Sequence, residues 1–286
     1  MTDLLKIAPR LNEIISIALE EDIGSGDITS DAIFSDEDWS EAYIQSKDRG
    51  IICGIDVVKL VYQRIDSSVK IISFQEDGSP VSLNDIVMSI QGPTKSILIG
   101  ERIALNFMQR MSGIATLTRK TVMLLQGTIT KILDTRKTIP GFRGLDKYAV
   151  KIGGGVNHRM GLYDMVMIKD NHIKAAGSIQ AALNAVRLKY GNDEYGNKYT
   201  IEIEVKTPGE AEIAANEGAD IIMLDNMSVP EMTQAIELID GRTKVEVSGN
   251  IDTKKIEMLK GLRIDYISSG ALTHSVKAFD VCMKFK

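Results

Sequence analysis

The chain has 286 residues, 44% hydrophobic and 26% charged, with 34 basic against 39 acidic side chains and a formal net charge of −5. That length suffices for a barrel-sized domain plus a smaller one, and the acidic balance excludes a general nucleic-acid binder or a polybasic membrane anchor. No run of about 18 apolar residues occurs and "MTDLLKIAPR" lacks a signal-peptide pattern, while Cys53 and Cys282 are too few for a disulfide framework or a metal knuckle. A cytoplasmic protein with free thiols is the expectation.

The first predicted element is a helix over "LNEIISIALEED", which lines up Leu11, Ile14, Ile15, Ala18 and Leu19 and ends in the turn-forming "IGSGDITS". From about residue 40 to 98 the apolar runs "EAYIQSK", "GIICGI", "VKIISF" and "DIVMSI", punctuated by "EDGSP" and "QGPT", predict a small sheet. A helix, "DVVKLVYQRI", should pack on it. "GERIALNFMQRMSGIATLTRKTVMLL" reads as long helical sequence interrupted near Gly113, a hinge between a first domain (1–113) and a second (114–286).

Beyond residue 128 the rhythm changes. The apolar runs "TKILD", "DMVMIKD", "TIEIEV", "ADIIMLD", "TKVEVSG" and "IDYISSG" alternate with helical patterns such as "PGEAEIAANEG", "VPEMTQAIELIDG" and "DTKKIEMLKG". Apolar strands alternating with helices make a parallel sheet covered by helices. At least six such units favour a closed barrel over a doubly wound sheet, which would show a GxGxxG turn after its first strand. In a barrel, chemistry collects at the C-terminal strand ends, and those ends carry Arg136, Lys137, Lys169, Glu204, Asp225, Ser248, Gly249, Ser269 and Gly270.

Cations crowd this mouth: Arg136, Lys137, Arg143, His158, Arg159 and Lys169. Like charges repel unless an anion is to be bound, and arginine offers a planar fork for carboxylate or phosphate. Arg143 and Lys147 have the plainer reading of solvated surface. "KIGGGVNHR" brings three glycines before Asn157, His158 and Arg159, letting backbone approach a ligand closely. "VSGN" and "SSGA", on the last two strands, fit a phosphate site in which amides at a helix start hold the anion. Glu204 and Asp225 end neighbouring strands, with Glu202 on the face of Glu204. Two carboxylates among these cations suit Mg²⁺ or a positive charge developing on a sugar. His172 and His274 read as structural.

Taken together, "ALEEDIGSGDIT", "GERIALNFMQRMSGIAT", "DTRKTIPGFR", "KIGGGVNHRMGL", "MIKDNH", "IEIEV", "MLDN", "VSGNI" and "SSGALTHS" resemble the quinolinate phosphoribosyltransferase family over nearly the whole chain, in order. The resemblance implies an α/β fold: an N-terminal open-faced α/β sandwich domain, with the extreme C-terminus packing on it, and an incomplete, about seven-stranded α/β barrel. It implies the Mg²⁺-dependent reaction of quinolinate with phosphoribosyl pyrophosphate to nicotinate mononucleotide, pyrophosphate and CO₂, in NAD biosynthesis. It implies a homodimer in which Arg102 reaches the partner's site, and leaves open whether dimers build hexamers.

By the same resemblance, Arg136, His158 and Arg159 would hold the quinolinate carboxylates, Thr135 would belong to the substrate-binding set, and Lys137 and Lys169 would sit by the pyrophosphate and a carboxylate. Glu204 and Asp225 would take the ribose and metal side. Ser248, Gly249 and Asn250, with Ser269, Gly270 and Ala271, would carry the 5′-phosphate. Three alternatives remain: a molybdenum-transport-associated relative of the same fold, a Schiff-base barrel lyase using Lys169, and a non-catalytic phosphate-ligand sensor.

Overall fold

The structure is a computed structural model that describes residues 2–190 and 199–286. The chain opens with α1 (Thr2–Ile7), α2 (Leu11–Ile23) and α3 (Ile28–Ile33). Asp27 starts α3 by accepting the Thr29 and Ser30 amides, each at 3.1 Å, which satisfies donors the helix cannot. Then come β1 (Trp39–Ser46), β2 (Gly50–Ile51), α4 (Ile55–Ile65), β3 (Lys70–Ser73), β4 (Pro80–Val81) and β5 (Ile86–Pro93). Of "GIICGI" only Gly50 and Ile51 are a strand, paired with β4. On α4, Val57, Val58, Val61 and Tyr62 are buried, and the Tyr62 hydroxyl donates to the Ile97 carbonyl at 3.0 Å.

The helix α5 (Thr94–Leu124) runs without the interruption expected at Gly113. Gly113 is buried, and a Cβ there would fall on the Lys277 carbonyl. The residue is small so that the Lys277 segment can pass close, and it is no hinge.

Strand and helix then alternate: β6 (Lys131–Leu133), α6 (Arg143–Ile152), β7 (Val166–Ile168), α7 (Asp170–Ala176), α8 (Ile179–Tyr190), β8 (Ile201–Val205), α9 (Pro208–Asn216), β9 (Ile221–Asp225), α10 (Val229–Ile239), β10 (Lys244–Ser248), α11 (Thr253–Leu259), β11 (Tyr266–Ser268), α12 (Ala271–His274) and β12 (Val281–Phe285). The six strands β6 to β11 form one parallel sheet in the order β6-β11-β10-β9-β8-β7. A single parallel bridge from Leu133 to Val156 adds a seventh position beside β6. No ladder joins that position to β7 among the described residues, so the sheet is an incomplete barrel. The helices have legible starts: Pro208 follows the cap Thr207, whose hydroxyl accepts the Glu210 amide at 3.2 Å, and Ser228 pairs with Glu231.

Two compact units result. One takes the chain up to Lys120, Thr138–Gly154 and Leu272–Lys286; the other takes Thr121–Lys137 and Gly155–Ala271. In the first, the antiparallel sheet runs β12-β1-β5-β3, with β12 added at the edge from Ala42↔Phe285 to Ser46↔Val281. The α6 segment also belongs there, and it overturns the surface reading of Lys147. Every residue from Leu145 to Val150 is buried and Lys147 is 0% exposed, because this short helix is enclosed on more than one face. Beside it, buried Asp146 accepts two bonds from Arg110, at 2.8 and 2.7 Å. Arg143 is half-buried, its Nε 3.2 Å from the Thr138 hydroxyl.

Candidate active site

In the second unit, the end of β6 is wired to the glycine-rich segment by Asp134. Its fully buried carboxylate accepts from the Asn157 side chain at 2.6 Å and from the His158 amide at 2.9 Å. Together with the Leu133–Val156 bridge, this brings the start of "DTRK" beside "VNHR". Arg136 and Arg159 are both half-buried. The guanidinium of Arg159 is pushed below its ordinary range, first by burial and next by the positive charge of Arg136, with Glu202 and Asp164 opposing. Among the described residues, buried Arg136 Nε has no hydrogen-bond partner. Two arginines held against their mutual repulsion, one with an unused donor, are poised for an anion.

Across the strand ends, Lys169 Nζ lies 2.6 Å from Glu204 Oε2, joining the ends of β7 and β8. Asp225 ends β9 and faces Ser248 in the β9–β10 register. Lys137 is exposed, and its amide is bound by the Thr135 hydroxyl at 3.0 Å. His172 is structural, its Nδ1 accepting the Lys169 amide at 2.9 Å as α7 begins.

The "VSGN" turn is conformationally forced. Gly249 has φ +95°, and a Cβ there would fall on the Asn226 side chain. Lys255, which sequence reasoning does not single out, donates to the Gly249 carbonyl at 2.6 Å and is pushed down from the ordinary lysine range, chiefly by burial. At the start of α11 the Asp252 side chain accepts the Lys255 amide at 2.7 Å. Ser269 is buried and tied through its amide to the Leu133 carbonyl at 3.0 Å, which sets "SSGA" beside the end of β6.

His158 does not face the mouth. Its side chain is 6% exposed, with Nε2 3.0 Å from Glu202 and 3.7 Å from Glu246, both carboxylates being fully buried. Both carboxyls are pushed to about 8. Burial is the main cause in each; Glu204 adds for Glu202, and Glu202 adds for Glu246, while Lys169 opposes both. Ligand atoms of the three lie within 4.8 Å of one another, the spacing a metal would need. The tautomer argues against that use. His158 Nδ1 accepts the Arg159 amide at 2.7 Å, so the ring proton sits on Nε2, the atom facing the carboxylates, and leaves no lone pair there for a metal. Glu246 is not found by sequence reasoning; the available signal is an acid at an inward position inside the apolar "KVEVS" strand.

The structure thus brings Arg136 and Arg159 together, pairs Lys169 with Glu204, and sets Asp225 opposite Ser248 at the strand ends. Arg102 lies exposed on α5 in the first unit.

This fold and site define an α/β-barrel protein whose strand ends gather cationic side chains and carboxylates. Its sequence matches the quinolinate phosphoribosyl transferase N-terminal domain over residues 27–112 and the C-terminal domain over residues 114–284. The chain belongs to the quinolinate phosphoribosyltransferase family. It is 42% identical to the probable nicotinate-nucleotide pyrophosphorylase (carboxylating) of Bacillus subtilis (strain 168), over 96% of this chain and 93% of that one. It is 44% identical to quinolinate phosphoribosyltransferase (decarboxylating) 1b of Nicotiana tabacum, over 96% of this chain and 82% of that one. Among solved structures, NadC from Streptococcus pyogenes superposes with a TM-score of 0.92 at 42% identity, covering 97% of this chain and 96% of that one.

Proposed function

We infer that this chain transfers the phosphoribosyl group of phosphoribosyl pyrophosphate to quinolinate with loss of CO₂, giving nicotinate mononucleotide and pyrophosphate. One observation supports the reading beyond family membership: the positive charge of Arg136 bears on Arg159 near the strand ends, a repulsion that an anionic guest would relieve. In this reading Arg136 and Arg159, steadied by Thr135, grip the dicarboxylate, and Arg102 of a second copy completes the grip in a homodimer. Lys137 and Lys169 face the pyrophosphate, and the turns Ser248–Asn250 and Ser269–Ala271 receive the 5′-phosphate.

The bond between the ribose C1′ and pyrophosphate breaks as the pyridine nitrogen bonds to C1′. Positive charge develops on the ribose in that step, as in other glycosyl transfers, and the carboxylates of Glu204 and Asp225 stabilise it. The alkylated ring is cationic, so it accepts the electron pair left when the adjacent carboxylate departs as CO₂, and a solvent proton takes the vacated carbon. The hard oxygen donors of Glu204 and Asp225 suit Mg²⁺, directly or through water. When bound, the ion would neutralise charge on the leaving pyrophosphate.

A Schiff-base role for Lys169 is disfavoured, since an amine nucleophile is freed by removing it from carboxylates and Lys169 is paired with one at 2.6 Å. The reading includes a cytoplasmic location, in keeping with free thiols at Cys53 and Cys282. No helix among the described residues is long and apolar enough to cross a membrane. The test supplies quinolinate, phosphoribosyl pyrophosphate and Mg²⁺, and measures CO₂ and mononucleotide together. Equal yields are expected; turnover of nicotinate without CO₂, and none of quinolinate, would overturn the assignment.

A further inference from the structure

Glu202 and Glu246 lie within β8 and β10 and are fully buried, with His158 facing both and Ser268 beside Glu246. Burying acids this way is unfavourable, and a fold keeps such groups only where they do something apolar side chains would not. Neither can touch a ligand at the rim, being 0% exposed. What they do face is His158 Nε2, at 3.0 and 3.7 Å. The other ring nitrogen of His158 takes the backbone amide of Arg159 at 2.7 Å. A continuous line therefore runs from the buried acids through one imidazole to the backbone that carries a rim arginine.

We propose that Glu202 and Glu246 are positioning residues for the dicarboxylate. By facing the His158 Nε2–H they hold that ring in a single tautomer and orientation, and its Nδ1 in turn fixes the amide from which Arg159 reaches the anion. Glu202 makes the close approach; Glu246 stands behind it. The proposal rests on the quinolinate reading for the identity of the anion, though not for the tautomer. A volume-filling role alone would be met equally by an apolar side chain, whereas this one needs an acceptor oxygen opposite Nε2.

Two measurements decide it. The chain has three histidines, so ring-nitrogen NMR of the ¹⁵N-labelled protein can resolve His158. The expected signature is a protonated Nε2 and a bare Nδ1, lost in Glu202→Ala and retained in Glu202→Gln, whose amide oxygen can still accept. In steady state, Glu202→Ala should raise the quinolinate KM about tenfold while the phosphoribosyl pyrophosphate KM moves less than about twofold, and Glu202→Gln should stay within about threefold of the parent on both. A proton on Nδ1 in the parent chain overturns the proposal. So does an unchanged quinolinate KM in Glu202→Ala, or a fall in melting temperature with both KM values rising in step. Should Glu202→Ala fail to fold, the question passes to the parent tautomer and to the same KM comparison in Glu246→Met, which keeps the volume and removes the acceptor oxygens. That variant is expected to show a smaller rise for quinolinate alone, and no rise would overturn the proposal. A parent chain that ignores quinolinate overturns the reaction instead, and the tautomer result still judges the positioning.

Discussion

Two carboxylates on one strand have opposite fates. Glu204 stands at the rim of the barrel, its side chain 12% exposed and paired with Lys169 at 2.6 Å. Glu202, two residues inward on the same face of β8, is fully buried and pushed to about 8. The period of the strand makes them neighbours, and depth alone separates them. At the rim a charged group can meet a cation and a ligand, so it can act on charge that appears during a reaction. One layer down, the same chemistry becomes scaffolding.

The largest expected effect tests the rim half of that contrast. Glu204→Gln should lower kcat by about 100-fold or more while leaving the phosphoribosyl pyrophosphate KM within about threefold, because it removes an electrostatic interaction that grows toward the transition state. Glu202→Gln should leave kcat nearly intact. Single-turnover rates on the two variants sharpen the comparison, and equal losses would break it. Next in size, Arg136→Ala should weaken quinolinate binding about 10- to 100-fold by calorimetry, from the loss of charge-assisted bonds, with phosphoribosyl pyrophosphate binding nearly unchanged. Equal loss for both ligands would move Arg136 out of the dicarboxylate site.

A smaller signal asks whether the rim is complete within one chain. Arg102→Ala and Arg136→Ala chains, each nearly inactive alone at low quinolinate, should recover about a quarter of parental activity when co-refolded in equal amounts, since half the dimers are mixed and each mixed dimer has one intact site. No rescue would mean that Arg102 serves its own subunit or none.

The rim is legible in the sequence because each apolar run stops where the chemistry starts. "TKIL" ends before Thr135 and Arg136, "MVMI" before Lys169, and "IEIEV" carries Glu204 next to its final residue. The layer beneath is not, and the reason is physical. Period two places Glu202 on the face of Glu204, yet it does not reveal that an imidazole from a distant glycine-rich segment closes over that acid. His158 is expected among the ligand-gripping cations on the strength of its neighbour Arg159, and the backbone turns its ring inward instead. Asp134 shows no role in sequence either, since its partners Asn157 and His158 lie more than twenty residues on. Lys147 shows the same limit from the other side. Its charge suggests solvent, and only the placement of α6 in the first unit explains its burial. The periodicity of the 31-residue α5 reveals a helix but not its continuity, because a glycine in sequence does not say whether it permits a bend or a close approach.

The weakest effect is one of slope, and it isolates the inner layer. Glu246 is pushed from 4.5 to about 8, mainly by burial and next by Glu202, with His158, Ser268 and Lys169 opposing. The folded chain therefore binds more protons than the unfolded chain between those two values. Stability that this group permits is fully present below about 4.5 and is lost as the pH rises toward 8, the reverse of a salt-bridged carboxylate. The change cannot exceed about 1.4 kcal/mol for each pH unit crossed, and Glu202, titrating beside it, shares in it. Carboxyls held low by surface partners, such as Asp27 and Glu231, change protonation beneath this window and do not obscure it. Urea melts of the parent chain and of Glu246→Gln at pH 5 to 8 should then diverge, with the variant losing less stability as the pH climbs. Parallel curves would show that the inner acids are charged in the folded protein, and the division between a reactive rim and a neutral scaffold would have to be redrawn.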